Sequence, residues 1–183
     1  TRSNGHLCLM KVHPKIIDRI LEGISGSQTL CVVGHIRPDG DCIGSQLGLT
    51  LALLNQGKTV SCWNQDPIPQ KLAFLDAKKL VQPPESGRQF DCVIATDSAS
   101  LERLGTVAEC IKDRKQLINI DHHQTNTRFG TDNWIEPHAA STCELVYHLL
   151  RSAALPISPT MASLLYAGIQ TDTLGFSLPT TTD

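Results

Sequence analysis

The sequence predicts an α/β fold: a doubly wound, mainly parallel five-stranded sheet with helices on both faces. Three observations carry that expectation. Short β-branched apolar runs alternate with segments of helical hydrophobic spacing, the order of βα units rather than of hairpins. Several of those runs end in side chains able to bind metal, as in Val33-Gly34-His35, Thr96-Asp97 and Ile120-Asp121-His122-His123. A shared carboxyl edge of one parallel sheet, where such folds place their ligands, explains these endings together. Finally, 183 residues with 40% hydrophobic and 19% charged side chains suit one domain with a full core.

In chain order, residues 1–13 show no clear period and read as a lead-in or a cloning remnant. Residues 14–24 put Ile16, Ile17, Ile20, Leu21 and Ile24 at helical spacing, with Pro14 suited to a first turn. The first strand, 30–34, stops at Gly34. A helix is expected over about 43–56, closed by Gly57, and its Gly44, Gly48 and Ala52 form a small stripe that lets the backbone lie close to the sheet. Residues 58–64 read as a second strand, and 65–69 and 82–87 as proline-containing loops around a short helical segment near 72–80. The third and fourth strands are residues 90–97 and 117–123, and Asn133-Trp134-Ile135 reads as a short fifth. Ser141 or Thr142 caps a helix reaching about Ser152, with Glu144 near its first turn. Ser158 and Pro159 open the last helix, which carries Met161, Leu164, Leu165 and Ile169 and leads to Asp172.

Composition narrows the function classes. A net charge of −2 and a pI near 6.3 supply no global basic field for nonspecific nucleic-acid binding. The seven cysteines (Cys8, Cys31, Cys42, Cys62, Cys92, Cys110 and Cys143) are odd in number and form no C-x-x-C pair. Cys31, Cys62 and Cys92 fall in strand patterns as small buried hydrophobes, so a reducing compartment is expected. No stretch approaches the length of a membrane span and no signal-peptide pattern opens the chain, which together read as a cytoplasmic protein without a membrane partner.

His35, Asp39, Asp41, Asp97, His122 and Asp172 make two imidazoles and four carboxylates, a nitrogen and oxygen donor set suited to Mn²⁺ or Mg²⁺ and short of the thiolates of a structural zinc site. Six protein ligands are too many for one catalytic ion that keeps open positions, and suit two ions sharing a carboxylate. Rival motifs fail on residues. An EF-hand needs an oxygen ligand where Ile43 stands, a P-loop lysine is missing, and H-E-x-x-H is absent. Among the other polar residues, Ser45, Ser141 and Thr142 read as helix-terminus residues, and His6, His13, His138 and His148 as surface side chains. Trp63 and Trp134 read as packing, and Arg37 and Arg103 as phosphate or surface groups.

His35-x-x-Pro38-Asp39-Gly40-Asp41-x-x-Gly44-Ser45, Thr96-Asp97, Asp121-His122-His123 and Thr171-Asp172-Thr173 resemble, in that order, the four motifs of the DHH phosphoesterase superfamily. The likeness runs from about residue 11 to the end. Through Asn64-Gln65-Asp66 to Phe74-Leu75, residues 140–147 and Gly168-Ile169-Gln170-Thr171-Asp172-Thr173, it is most similar to the branch of short-oligonucleotide phosphodiesterases that also act as 3′-phosphoadenosine 5′-phosphate phosphatases. The resemblance implies one manganese held by His35, Asp39 and Asp97, a second held by Asp41, Asp97, His122 and Asp172, and Asp97 bridging. It implies that His123 contacts the substrate phosphate or assists proton transfer to the leaving group, and that Asp121 orients an imidazole. It further implies a phosphoesterase acting on a small nucleotide or short single-stranded RNA, and a C-terminal DHH-associated substrate-binding domain beyond the catalytic domain of residues 1–183. A homodimer is left open. The alternatives are a pyrophosphatase or exopolyphosphatase on the same metals, and a non-catalytic metal-binding assembly domain.

Overall fold

The structure, a computed structural model, describes residues 14–178 and 181. The lead-in at 1–13, with His6, His13 and Cys8, lies outside the described residues. The chain folds into α1 (Pro14–Ser25), β1 (Thr29–Val33), α2 (Gly40–Asn55), β2 (Thr59–Trp63), β3 (Val81–Gln82), β4 (Phe90–Thr96), α3 (Val107–Cys110), β5 (Arg114–Asp121), β6 (Asp132–Ile135), α4 (Thr142–Ser152) and α5 (Pro159–Asp172), with 3-10 turns at Gln70–Asp76 and Leu101–Leu104.

The strands form one sheet in the order β3-β2-β1-β4-β5-β6, every pair parallel. Among the described residues, six strands replace the expected five. The addition, β3, is two residues long and falls where the sequence reads as a loop; it is held by pairing with the end of β2 at Cys62–Trp63 rather than by any apolar period of its own. The order reverses between β1 and β4, so loops leaving those two strands diverge and open a crevice at the carboxyl edge.

Alternation along the strands divides the core in two. Leu30 and Val32 of β1, with Ile94 and Ile118, face α1, α2, α4 and α5. Cys31 and Val33, with Val93 and Leu117, face the opposite side, which is covered by α3 and the Leu101–Leu104 turn through Leu104, Val107 and Ile111. Trp63 and Trp134 are both buried, as packing residues. Cys31, Cys62 and Cys92 are buried and unpaired.

Helix ends follow local chemistry. Ser141 caps α4 by accepting from Glu144 N at 3.2 Å, and Ser158 caps α5 with Pro159 in its first turn. Gly57, with φ of 76°, follows the end of α2 in a conformation glycine adopts freely. Two expectations need correction. α2 begins at Gly40, capped by Asp39, so Asp41 lies in its first turn and Ser45 lies inside the helix rather than at its end. The Gly44–Gly48 stripe lies against α5 and not the sheet: a Cβ on Gly44 would stand 2.5 Å from Leu164 O, and one on Gly48 2.8 Å from Leu165 Cδ2.

Candidate metal centre

Each predicted site residue lies at the carboxyl edge of the sheet or on a helix end facing it. His35 follows β1 and is buried. Its Nδ1 lies 2.7 Å from Ile36 O, an arrangement that puts the proton on Nδ1 and leaves Nε2 as the free donor atom. That Nε2 stands 3.4 Å from Asp97 Oδ2 and 3.8 Å from Asp39 Oδ1. Arg103 lies beside the same ring, its guanidinium 3.1 Å from Nδ1, while its carbonyl accepts from Ile36 N. Arg37 is exposed and has φ of 54°, a left-handed conformation rather than the extended one favoured before proline. Asp39 accepts from Cys42 N at 3.1 Å as the cap of α2. Burial pushes its carboxyl up, but the hydrogen bonds from His35 and Cys42 hold it below the usual range.

Asp97 follows β4 with φ of 56°, a left-handed conformation that a carboxylate residue tolerates at modest cost and that turns the chain sharply at the sheet edge. Its two oxygens divide among three imidazoles: Oδ2 faces His35, and Oδ1 lies 3.7 Å from His123 Nδ1 and 3.9 Å from His122 Nε2. Thr142 Oγ1 donates to Oδ1 at 3.0 Å. His122 has Nδ1 at 3.2 Å from Ala139 O and Nε2 at 3.3 Å from Asp172 Oδ2 and 3.9 Å from Asp41 Oδ2. Asp41, fully buried, is held by the first turn of α4: Thr142 N donates to Oδ2 at 2.7 Å and Cys143 N to Oδ1 at 2.9 Å. A helix N-terminus is a favourable place for a carboxylate, because its first amides lack helical partners.

Sequence reasoning placed Asp121 behind an imidazole without saying which. It is that of His123: His123 Nδ1 donates to Asp121 Oδ1 at 2.7 Å, whereas His122 turns Nδ1 to the Ala139 carbonyl. Asp121 is fully buried and its other oxygen accepts from Asn126 Nδ2 at 2.6 Å. His123, half exposed, is pushed up to about 9, chiefly by the Asp121 carboxylate.

Three groups of residues escaped sequence reasoning. The Cys42 thiol lies with His35 and Asp97 in a group of metal-competent atoms within 4.8 Å of one another, and burial raises it to about 11, which keeps it protonated. Thr142 and Cys143 hold Asp41 from about a hundred residues away, the Thr142 hydroxyl also reaches Asp97, and nothing local to Asp41 signals them. Asn126 is the third; its place three residues after the His-His pair was the available hint.

The donor set fits divalent cations. Asp97, His122 and His123 make a second such group and Asp41, His122 and Asp172 a third, sharing His122. Among the described residues, no lysine or arginine pairs with Asp39, Asp41, Asp97 or Asp172; their only ionic partners are histidines. Excess negative charge is visible in the titration of the cluster. Burial and then Asp97 raise Asp41. Asp172 is raised by burial and by Asp97 and Asp39 against the pull of His122. His35, which burial alone would lower, is driven far above its usual value by Asp39 and Asp97. Bound cations would relieve the repulsion that raises Asp41 and Asp172.

The chain is similar to known proteins over most of its length. The family described as "DHH family, N-terminal domain" matches residues 29–169. The bifunctional oligoribonuclease and PAP phosphatase NrnA of Thermus thermophilus is 34% identical over 170 residues, covering 92% of this chain and 50% of that protein. The protein of the same name from Bacillus subtilis is 29% identical over 167 residues, covering 90% and 52%. The chain thus spans about half the length of these curated relatives. Among solved structures, an exopolyphosphatase-related protein from Bacteroides fragilis superposes with a TM-score of 0.87 at 27% identity, covering 95% of this chain and 55% of that one. A putative family II inorganic pyrophosphatase from Methanococcus jannaschii gives 0.63 at 28% identity, covering 84% and 52%.

Proposed function

The chain belongs to the DHH family, and from that premise we propose that it is the catalytic half of a metal-dependent phosphoesterase hydrolysing phosphoester bonds of small nucleotides, short oligoribonucleotides or 3′-phosphoadenosine 5′-phosphate. The observation that carries this reading is the division of the Asp97 carboxylate, one oxygen toward His35 and the other toward His122, which suits a bridge between two cations. In this reading His35, Asp39 and Asp97 hold one divalent ion and Asp41, Asp97, His122 and Asp172 the other, with Mn²⁺ ahead of Mg²⁺ because imidazoles share the set. Such ions would supply Lewis-acid polarisation of the phosphoryl group and a lowered pKa for water.

The remaining work falls to side chains of this chain. Ala139 O and Ile36 O fix the two imidazoles by their Nδ1 atoms, and the α4 amides fix Asp41. His123, kept protonated by Asp121, has Nε2 left over to touch a phosphoryl oxygen or to give its proton to the departing ester oxygen as water adds to phosphorus and the P–O bond breaks. The names of the NrnA relatives support nucleotide substrates, and the absence of a membrane-length apolar helix among the described residues is consistent with a cytoplasmic setting. The extra length of those relatives is where this proposal places a separate substrate-binding domain.

Likeness to the putative pyrophosphatase supports a second reading, a pyrophosphate or polyphosphate hydrolase on the same residues. Hydrolysis by the full-length protein with Mn²⁺ separates the two, using 3′-phosphoadenosine 5′-phosphate, short RNA and pyrophosphate, with Asp97→Ala as the control. Turnover of the nucleotides is the expected result. Pyrophosphate turnover alone selects the second reading, and bound metal without any turnover leaves only a binding or assembly role.

A further inference from the structure

A cavity of about 560 Å³ lies over the carboxyl ends of β2 and β3, next to the His35 loop but outside the metal-competent cluster. Its lining mixes apolar residues, Pro67, Ile68, Ala73 and Val81 among them, with polar and charged ones that include Asn64, Asp66 and Lys79, so a ligand there could meet both apolar surface and hydrogen-bonding groups. Asn64 is its most informative residue. The side chain is buried, and the N–H of Gly34 donates to its Oδ1 at 3.1 Å, which fixes the orientation of the amide. The other end, Nδ2, has no hydrogen-bond partner among the described residues. An orphaned buried donor is costly, and on a residue that lines a cavity it can be met by a ligand acceptor.

The cavity is tied to the site by backbone as well as by place. Asp66 accepts from Arg37 N at 2.7 Å, two residues beyond His35. Gln65 accepts from Thr106 N at 2.8 Å, close to the turn that carries Arg103. A phosphoryl group between the ends of β1 and β4 would stand about two strand spacings, roughly 10 Å, from the space over β2 and β3. That is the reach of a nucleoside from its phosphate to its base. Phe74, on the short turn that also supplies Ala73, leaves its ring 73% exposed and is free to stack on such a group.

We infer that this cavity is a nucleobase subsite, in which Asn64 Nδ2 donates to a ring nitrogen or carbonyl of the base and the Asp66 carboxylate can accept from an exocyclic amine or ring N–H. The inference rests on the phosphoesterase reading and deepens it: the catalytic domain itself selects a nucleotide over a bare phosphate ester.

Asn64→Asp tests it cleanly, since the retained oxygen still accepts from Gly34 while the donor is lost. Ala73→Trp tests it independently by filling the cavity from an exposed position. In the full-length protein, kcat/KM is measured on 3′-phosphoadenosine 5′-phosphate and on its abasic analogue, deoxyribose 3,5-bisphosphate. Loss of one buried hydrogen bond predicts a fall of about tenfold on the nucleotide for Asn64→Asp, carried by KM, with the abasic substrate unchanged. The side-chain amide signals of Asn64 in the NMR spectrum of the Mg²⁺-loaded protein should shift with adenosine 5′-monophosphate and not with ribose 5-phosphate. Equal losses on both substrates, or Asn64 signals that ignore adenosine 5′-monophosphate, overturn the subsite. If the wild type hydrolyses neither substrate, the phosphoesterase reading fails, and the Asn64 shifts still decide whether the cavity takes a base.

Discussion

Replacing Asp97 by Asn keeps the shape of the side chain and removes a charge that faces both His35 Nε2, at 3.4 Å, and His122 Nε2, at 3.9 Å. If that carboxylate is shared by two cations, one substitution disables both. An ion at a hundred times its Kd adds about 2.7 kcal/mol to stability, so two add about 5 kcal/mol. Unfolding entropy of about 2.1 cal/mol/K per residue over 183 residues comes to about 0.4 kcal/mol/K. The wild type should therefore gain about 14 °C in Tm between EDTA and saturating Mn²⁺, and Asp97→Asn no more than about 3 °C. In EDTA the order changes. Asp97 and Asp41 are both almost fully buried, and the charge on Asp97 raises Asp41, so the neutral variant should melt no lower than the wild type. Scanning fluorimetry, metal content per chain and turnover check the three parts; turnover should drop by about 10²-fold or more, as for other preorganised electrostatic groups. A variant that still binds two ions and keeps the full Mn²⁺ shift refutes the shared-carboxylate reasoning. One that melts many degrees lower in EDTA shows Asp97 to be a structural residue instead.

The other predictions concern the groups behind the cluster. Asp121→Asn should lower kcat by about 10²- to 10⁴-fold, the range for proton transfer by a positioned side chain, with metal content unchanged on elemental analysis. Because His123 is raised from 6.5 to about 9 in the folded protein, its contribution to stability is full below 6.5 and disappears as pH rises through about 9. Thermal melts in EDTA should accordingly show Tm falling across that window, and His123→Asn should flatten the slope. Thr142→Val removes the hydroxyl that donates to Asp97 while keeping the N–H that donates to Asp41. A roughly tenfold loss of kcat with near-normal melting is expected, about 1 kcal/mol for one hydrogen bond. Gly44→Ala would press a methyl against Leu164 O and should cost about 1–3 kcal/mol by calorimetry, since the contact partner is backbone that cannot swing aside.

What the sequence by itself determined was the chemistry at the ends of strands. Apolar β-branched runs declare themselves within a few residues, and the residue that follows a buried strand in a parallel sheet emerges at the carboxyl edge, so His35, Asp97 and His122 were legible as a converging set. Helix caps at Ser158 and Pro159 were equally local. Tertiary structure decided whatever depends on which surfaces meet. The glycine stripe on α2 was readable as a close approach, but its partner, α5, was not, because small residues specify distance and not identity. Strand β3 exists only because the end of β2 offers it hydrogen bonds. Asp41 was legible as a metal-ligand candidate, but not the first turn of α4 that holds it with two amides. Asn64 reads as the last residue of the second strand, and only the pairing of its oxygen with Gly34 and its place in the cavity lining single it out. Local pattern can name the side chains that carry charge or bind metal, but the amides, thiols and cavities that hold them come from chain distant in sequence, where no periodicity reaches.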